Sequence, residues 1–166
     1  EEQRQLLAAT IRRDGVVVQE ALALNEVVVS RGMQGGMIES AIEIDGRFVC
    51  ALRADGLIVA TPTGSTAYSL SAQGPIVHPE VPALLLVPVA PHALTNRPRV
   101  VSDRAQIEGA LLGGKDALAL CDGQARFALG AVDAQVGQVV DELAAVRCTA
   151  DRVDASQRVL QFERGA

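Results

Sequence analysis

Residues 42–49 read Ile42-Glu43-Ile44-Asp45-Gly46-Arg47-Phe48-Val49. Apolar and polar side chains alternate up to an Asp-Gly pair, and a short apolar run leads away from it. Alternation places successive residues on opposite faces of a strand. Asp-Gly supplies the two positive-φ positions of a type I′ turn. A β-hairpin is therefore expected about Asp45-Gly46. Asp-Gly recurs at 14–15, 55–56 and 122–123. Segments 7–13 and 16–20 flank the first pair, and 117–121 and 125–129 flank the last. Segments 27–30, 57–60 and 83–89 read as further short strands. The expected fold class is all-β: an antiparallel, multi-stranded sandwich or open barrel.

Two stretches read as helix. Residues 65–72 begin with capping hydroxyls and end just before Gly74-Pro75, which predicts one short helix there. Val132, Val136, Val139, Val140, Leu143 and Val146 recur at helical spacing, which predicts a second helix over 131–146. No linker or internal repeat divides the chain, so 1–166 is expected to be a single domain.

The 166 residues are 49% hydrophobic and 21% charged, which excludes disorder. No apolar run is long enough for a membrane helix, and the polar start at Glu1-Glu2-Gln3-Arg4 does not read as a signal peptide. A net charge of −5 argues against nucleic acid as a partner. Three cysteines without a CxxC spacing argue against a disulfide framework or zinc site and for a cytoplasmic setting. His78 and His92 do not advertise a metal site.

The densest chemical signal is Thr61-Pro62-Thr63-Gly64-Ser65-Thr66-Ala67-Tyr68-Ser69-Leu70-Ser71, in which seven of eleven residues carry hydroxyls. It follows an apolar strand and opens the expected helix, whose first N–H groups would suit an anion. The same segment also reads as a Ser/Thr-rich loop with an ordinary cap. Arg53 and Asp55 lie two residues apart, on one side of a strand if it continues that far. They suit a phosphate and a ribose hydroxyl, or form only a surface ion pair. Asn25-Glu26 stands at the entrance to Val27-Val28-Val29 and suits a sugar diol or an adenine edge. Gly109-Ala110-Leu111-Leu112-Gly113-Gly114-Lys115 fits GxxxxGK, but Asp116 stands where a phosphate-binding loop needs Ser or Thr, and no helix follows. A glycine turn between two strands is expected there. No GxSxG elbow or hydrolase triad is present.

Together these pieces resemble the C-terminal domain of bacterial NAD kinases. The resemblance is carried by Ala23-Leu24-Asn25-Glu26-Val27-Val28, Met37-Ile38-Glu39, Ile44-Asp45-Gly46-Arg47-Phe48, the run from Arg53 to Ser71, Gly74-Pro75-Ile76-Val77-His78-Pro79 and Pro91-His92-Ala93-Leu94-Thr95-Asn96-Arg97-Pro98. It resumes at Cys121-Asp122-Gly123-Gln124 and fades after 130. The resemblance implies an all-β domain and a reaction, ATP-dependent phosphorylation of the adenosine 2′-hydroxyl of NAD to give NADP. It implies that Asn25 and Glu26 meet the adenosine part of NAD. Arg53 and Asp55 would lie at the dinucleotide, Asp55 reaching a neighbouring subunit's site. Thr63, Thr66, Ala67, Tyr68, Ser69 and Ser71 would line the pocket, with Tyr68 flanking the ligand and Gln124 a further contact. NAD, ATP and the Mg2+ that accompanies it are the implied small molecules, and a homodimer or homotetramer the implied assembly.

The sequence departs from that pattern. The family's Gly-Gly-Asp-Gly loop, whose aspartate is the general base, belongs to a preceding α/β domain and does not occur here. This chain is therefore expected to contain no catalytic residue and to be inactive by itself. Gly35-Gly36 stands where some relatives carry a ligand-contacting side chain, and Gln73 replaces a usual glycine. The reading outside the kinase class is a non-catalytic β-sandwich that only binds or assembles.

Overall fold

The computed structural model describes residues 3–33, 36–132 and 144–154. The strands are β1 (Gln3–Arg13), β2 (Val16–Ala23), β3 (Glu26–Ser30), β4 (Ile38–Ile44), β5 (Arg47–Ala54), β6 (Gly56–Ala60), β7 (Ala83–Val89), β8 (Arg99–Ser102), β9 (Ile107–Cys121), β10 (Ala125–Val132) and β11 (Ala144–Asp154). A 3₁₀ turn (Thr63–Thr66) and a one-turn helix α1 (Tyr68–Ser71) lie between β6 and β7. Every pairing is antiparallel. The all-β expectation holds.

Three hairpins turn on Asp-Gly as expected. Asp14, Asp45 and Asp122 have φ of 52°, 52° and 50°, and the following glycines have 75°, 71° and 68°. The fourth pair differs. Asp55 is a bend between β5 and β6, and Gly56 opens β6. A side chain at Gly56 would come within 2.7 Å of the Val29 carbonyl on neighbouring β3, so this glycine serves close strand packing and not a turn.

Two sheets share β9. Its first half pairs with β11 and β4, and its second half with β3 and β10. The first sheet runs β2-β1-β11-β9-β4-β5, and the second β10-β9-β3-β6-β7-β8. The change of partners falls at Gly113 and Gly114: Glu39 is opposite Gly113 and Val132 opposite Gly114. The expected glycine turn over 109–115 is therefore overturned. The strand is continuous, and its glycines fall where one strand passes from sheet to sheet, a place at which missing side chains ease a bend.

The main core lies between the sheets and includes Leu7, Ile38, Ile42, Leu84, Ile107, Leu111 and Leu129. Alternate residues of the second sheet point the other way. Val28, Ile58, Ala60, Leu85 and Val87 form a smaller cluster, with Ala72 and Val77 packed on it. Ala72 and Val77 belong to the segment between β6 and β7, which therefore covers the outer face of β3, β6 and β7. Burial on both faces explains why those strands read as unbroken apolar runs and not as alternations.

The helix expected over 65–72 is broken. Ala67, with φ −96° and ψ −128°, separates the 3₁₀ turn from α1, and the residues at their N-caps, Pro62 and Ala67, give no side-chain cap. The hydroxyls that read as caps are used elsewhere. Ser65 Oγ accepts from the Val77 N–H and donates to the Val77 carbonyl, both at 3.1 Å. Gln73, just past α1, has φ +65°, the left-handed position that favours glycine. That explains the glycine usual there in the resembling family. The second expected helix is contradicted at both ends: Ala131 and Val132 close β10, and 144–146 open β11. Its middle, 133–143, lies outside the described residues.

Candidate functional site

The hydroxyl-rich segment folds back onto the residues that lead into β3. Thr61 is fully buried. Its N–H donates to the Asn25 carbonyl at 2.9 Å, and its Oγ1 donates to the Leu24 carbonyl at 2.6 Å. Thr61 Oγ1 in turn accepts from the Gly64 N–H at 3.1 Å. Gly64 lies flat against this chain: a Cβ there would stand 2.0 Å from the Asn25 carbonyl oxygen. Only glycine permits that approach. The segment and Asn25-Glu26 are thus one surface, though 36 residues separate Thr61 from Asn25.

Glu26 is 7% exposed, and its Oε2 has no hydrogen-bond partner. Burial pushes its carboxyl above the usual carboxylate range. The neighbouring negative charge of Asp122 pushes the same way, and a bond from the Tyr68 backbone N–H pulls back. The expected helix N-terminal anion site is corrected here. With four residues α1 has no developed dipole to offer an anion.

Asp122 was not singled out as a site residue from sequence. Its carboxylate accepts from three consecutive backbone N–H groups: Leu24 at 2.7 Å, Asn25 at 2.8 Å and Glu26 at 3.1 Å. Its own N–H donates to the Glu26 carbonyl at 3.0 Å. Gln124 is exposed in the same turn.

The remaining candidates divide. Thr66 and Ser71 are exposed, Thr63 and Ala67 half-buried, and Tyr68 is 45% exposed, which leaves its ring available. Thr63 Oγ1 accepts from Arg4 at 3.5 Å. Ser69 is fully buried, and its Oγ lies where a side chain on Gly74 would stand, at 2.3 Å. It faces the covering segment's own packing. Arg53 and Asp55 do not pair with each other, because the strand bends at Asp55. Arg53 bonds Glu39 at 2.9 Å and Asp55 bonds Arg31 at 3.2 Å. The length of β6 separates Asp55 from Thr61, roughly 20 Å at about 3.3 Å per residue. Among the described residues no cluster of three His, Cys, Asp or Glu is arranged to hold a metal ion, and no helix is long and apolar enough to cross a membrane.

Residues 24–141 match the family model described as ATP-NAD kinase C-terminal domain. The chain is similar to the NAD kinase of Polaromonas sp. JS666, with 53% identity over 124 residues, 75% of this chain and 43% of that protein. It is similar to the NAD kinase of Acidovorax sp. JS42, with 54% identity over 129 residues, 78% and 43% of the two chains. Among solved structures it resembles yeast NADH kinase complexed with NADH, with 31% identity, TM-score 0.75, and coverage of 90% of this chain and 41% of that one. An NAD kinase from Archaeoglobus fulgidus in complex with ATP matches with 28% identity, TM-score 0.67, and coverage of 98% and 59%. The chain spans less than half the length of the curated relatives it matches. With the family model covering most of the sequence, the chain belongs to the ATP-NAD kinase C-terminal domain family.

Proposed function

We propose that this domain forms the NAD site of an NAD kinase, which transfers a phosphoryl group from ATP to the adenosine 2′-hydroxyl of NAD and gives NADP. The observation that carries this reading is the joining of Asn25-Glu26 to the 61–71 segment, with a buried carboxylate oxygen of Glu26 left without a partner. A hydroxyl or amide of a ligand supplies the donor that this oxygen lacks. Asn25 offers both donor and acceptor to the adenosine part, and the half-exposed Tyr68 ring flanks it. Thr63, Thr66, Ala67, Ser71 and Gln124 complete the lining, and Ser69 supports it from beneath. The similar yeast and archaeal structures, with NADH and ATP respectively, support NAD and ATP as the small molecules.

Arg53 and Asp55 lie at the far end of β6 from this surface, so within one protomer they do not meet the same ligand. Their placement suits a role at a second protomer's site in a homodimer or homotetramer. Mg2+ would arrive with the nucleotide, since the described residues hold no carboxylate cluster for it. Three free thiols suit a cytoplasmic enzyme. Hydroxyl activation needs a base within hydrogen-bond reach, and no residue of this chain is assigned that role. The 166 residues alone are therefore expected to form no NADP from NAD, ATP and Mg2+, and turnover above background overturns that assignment.

Titration of NAD by calorimetry tests the site. Tyr68→Ala should weaken NAD binding about tenfold, since base stacking contributes about 1–3 kcal/mol and 1.4 kcal/mol is a factor of ten. Its melting temperature should change little, because the ring is already half in solvent. Equal affinities of wild type and variant sink the ligand-contact role. Where the isolated domain binds too weakly to read, the same pair is compared in the full-length enzyme.

A further inference from the structure

The ladder between β3 and β9 pairs Val27 with Cys121 and ends there, because β9 turns back at Asp122-Gly123. Residues 24–26 run on past that end with backbone donors facing no strand. The Asp122 side chain takes the place of the missing strand. Its two carboxylate oxygens receive the N–H groups of Leu24, Asn25 and Glu26 at 2.7, 2.8 and 3.1 Å. The turn itself does not require this acid, because Asn or Gly adopts the same positive φ. Asp45, at the matching position of another hairpin, accepts one such bond, from Gln106 at 2.8 Å. On the opposite side Thr61 takes the Leu24 and Asn25 carbonyls. The backbone that carries Asn25 and Glu26 is thus gripped from both sides, its donors by Asp122 and its acceptors by Thr61.

We propose that Asp122 is the positioning residue of the NAD site, its carboxylate fixing the backbone of residues 24–26 so that Asn25 and Glu26 meet the dinucleotide preorganised. The proposal rests on the NAD reading above. An ionised carboxylate that accepts several N–H bonds makes short, strong contacts, and a contact surface fixed before binding spends less affinity on ordering.

Asp122→Asn tests it. Asn-Gly keeps the turn, but the amide offers one acceptor to three donors and turns an NH2 group toward them. Asp45→Asn is the control for loss of an equivalent carboxylate away from the site. Backbone amide exchange by NMR reads the grip without ligand: in Asp122→Asn the amides of residues 24–26 should exchange about tenfold faster, with those of β6 and β7 unchanged. Calorimetry with NAD should show about tenfold weaker binding for Asp122→Asn and wild-type affinity for Asp45→Asn. Unchanged exchange at 24–26, unchanged NAD affinity, or equal weakening by both variants overturns the proposal. If Asp122→Asn does not fold, Asp122→Gly keeps a glycine turn and is read in the same way. Absence of NAD binding by wild type, both in this chain and in the full-length enzyme, sinks the NAD reading and the positioning role with it. The exchange measurement still reports the grip, so the two failures are distinguished.

Discussion

Glu26 is the residue at which burial and charge oppose each other most directly. Its carboxyl is nearly excluded from water, one oxygen is unpaired, and the charge of Asp122 stands close by. Burial first, and Asp122 second, raise its pKa above the usual 4.5. The folded state therefore holds this proton more tightly than the unfolded state does. The associated stability is fully present below about pH 4.5 and is lost as pH rises through the raised folded value. Glu26→Gln has no such proton to lose. The variant should gain in melting temperature relative to wild type on going from about pH 4 to about pH 8, while binding NAD more weakly. Melting curves of both proteins across that range check this. A gap that does not change with pH would falsify the assignment of the raised pKa to Glu26. A site that keeps a partnerless carboxylate oxygen at the expense of stability is what a ligand-binding role predicts.

Among the elements, what the sequence disclosed depended on whether the signal was local. The hairpins at Asp14-Gly15, Asp45-Gly46 and Asp122-Gly123 were legible because a two-residue turn has its own backbone chemistry. Strands β3, β6 and β7 were legible as apolar runs, although the reason they are apolar on both faces, the covering segment 61–82, is a matter of tertiary packing. The short helix was legible in place but not in form. Its hydroxyls looked like caps, whereas Ser65 ties the segment to Val77 and Thr61 ties it to residues 24 and 25. The helical period of the valines misled at 131–132 and 144–146, because β-branched residues fit a strand as well as a helix period does. Gly113 and Gly114 looked like a turn because a glycine pair usually marks one, and nothing local reveals a strand that changes sheets. At the site, Asn25, Glu26 and the 61–71 segment were legible as residue types suited to a nucleotide. Asp122 was visible only as a turn former, since its contacts lie 96–98 residues away in sequence.

For the whole molecule the open question of assembly is sharpest along β2. Among the described residues this strand pairs only with β1 and forms one end of its sheet. Val16, Val17 and Val18 are 64%, 44% and 49% exposed, and Leu22 is 44% exposed. Consecutive strand residues point to opposite faces, so β2 presents apolar side chains on both sides as well as an unpaired backbone edge. Soluble proteins usually blunt such an edge with lysine, proline or a bulge. Here no lysine or proline lies in β2, and its one bulge, which leaves Val18 without a partner between Gln19 opposite Ile11 and Val17 opposite Arg12, adds an exposed valine and does not cover the edge. A second copy of the chain, laid against this edge, would bury the valines and satisfy the free backbone groups. It would also fit the reading in which Asp55, far from its own protomer's Asn25-Glu26 surface, serves another's. Light scattering at tens of micromolar should therefore give at least twice the 17.4 kDa chain mass. Val17→Lys should shift the mass toward 17.4 kDa by placing a charge in the contact. A wild-type monomer at that concentration removes the assembly reading. A dimer indifferent to Val17→Lys keeps assembly but moves its interface away from β2.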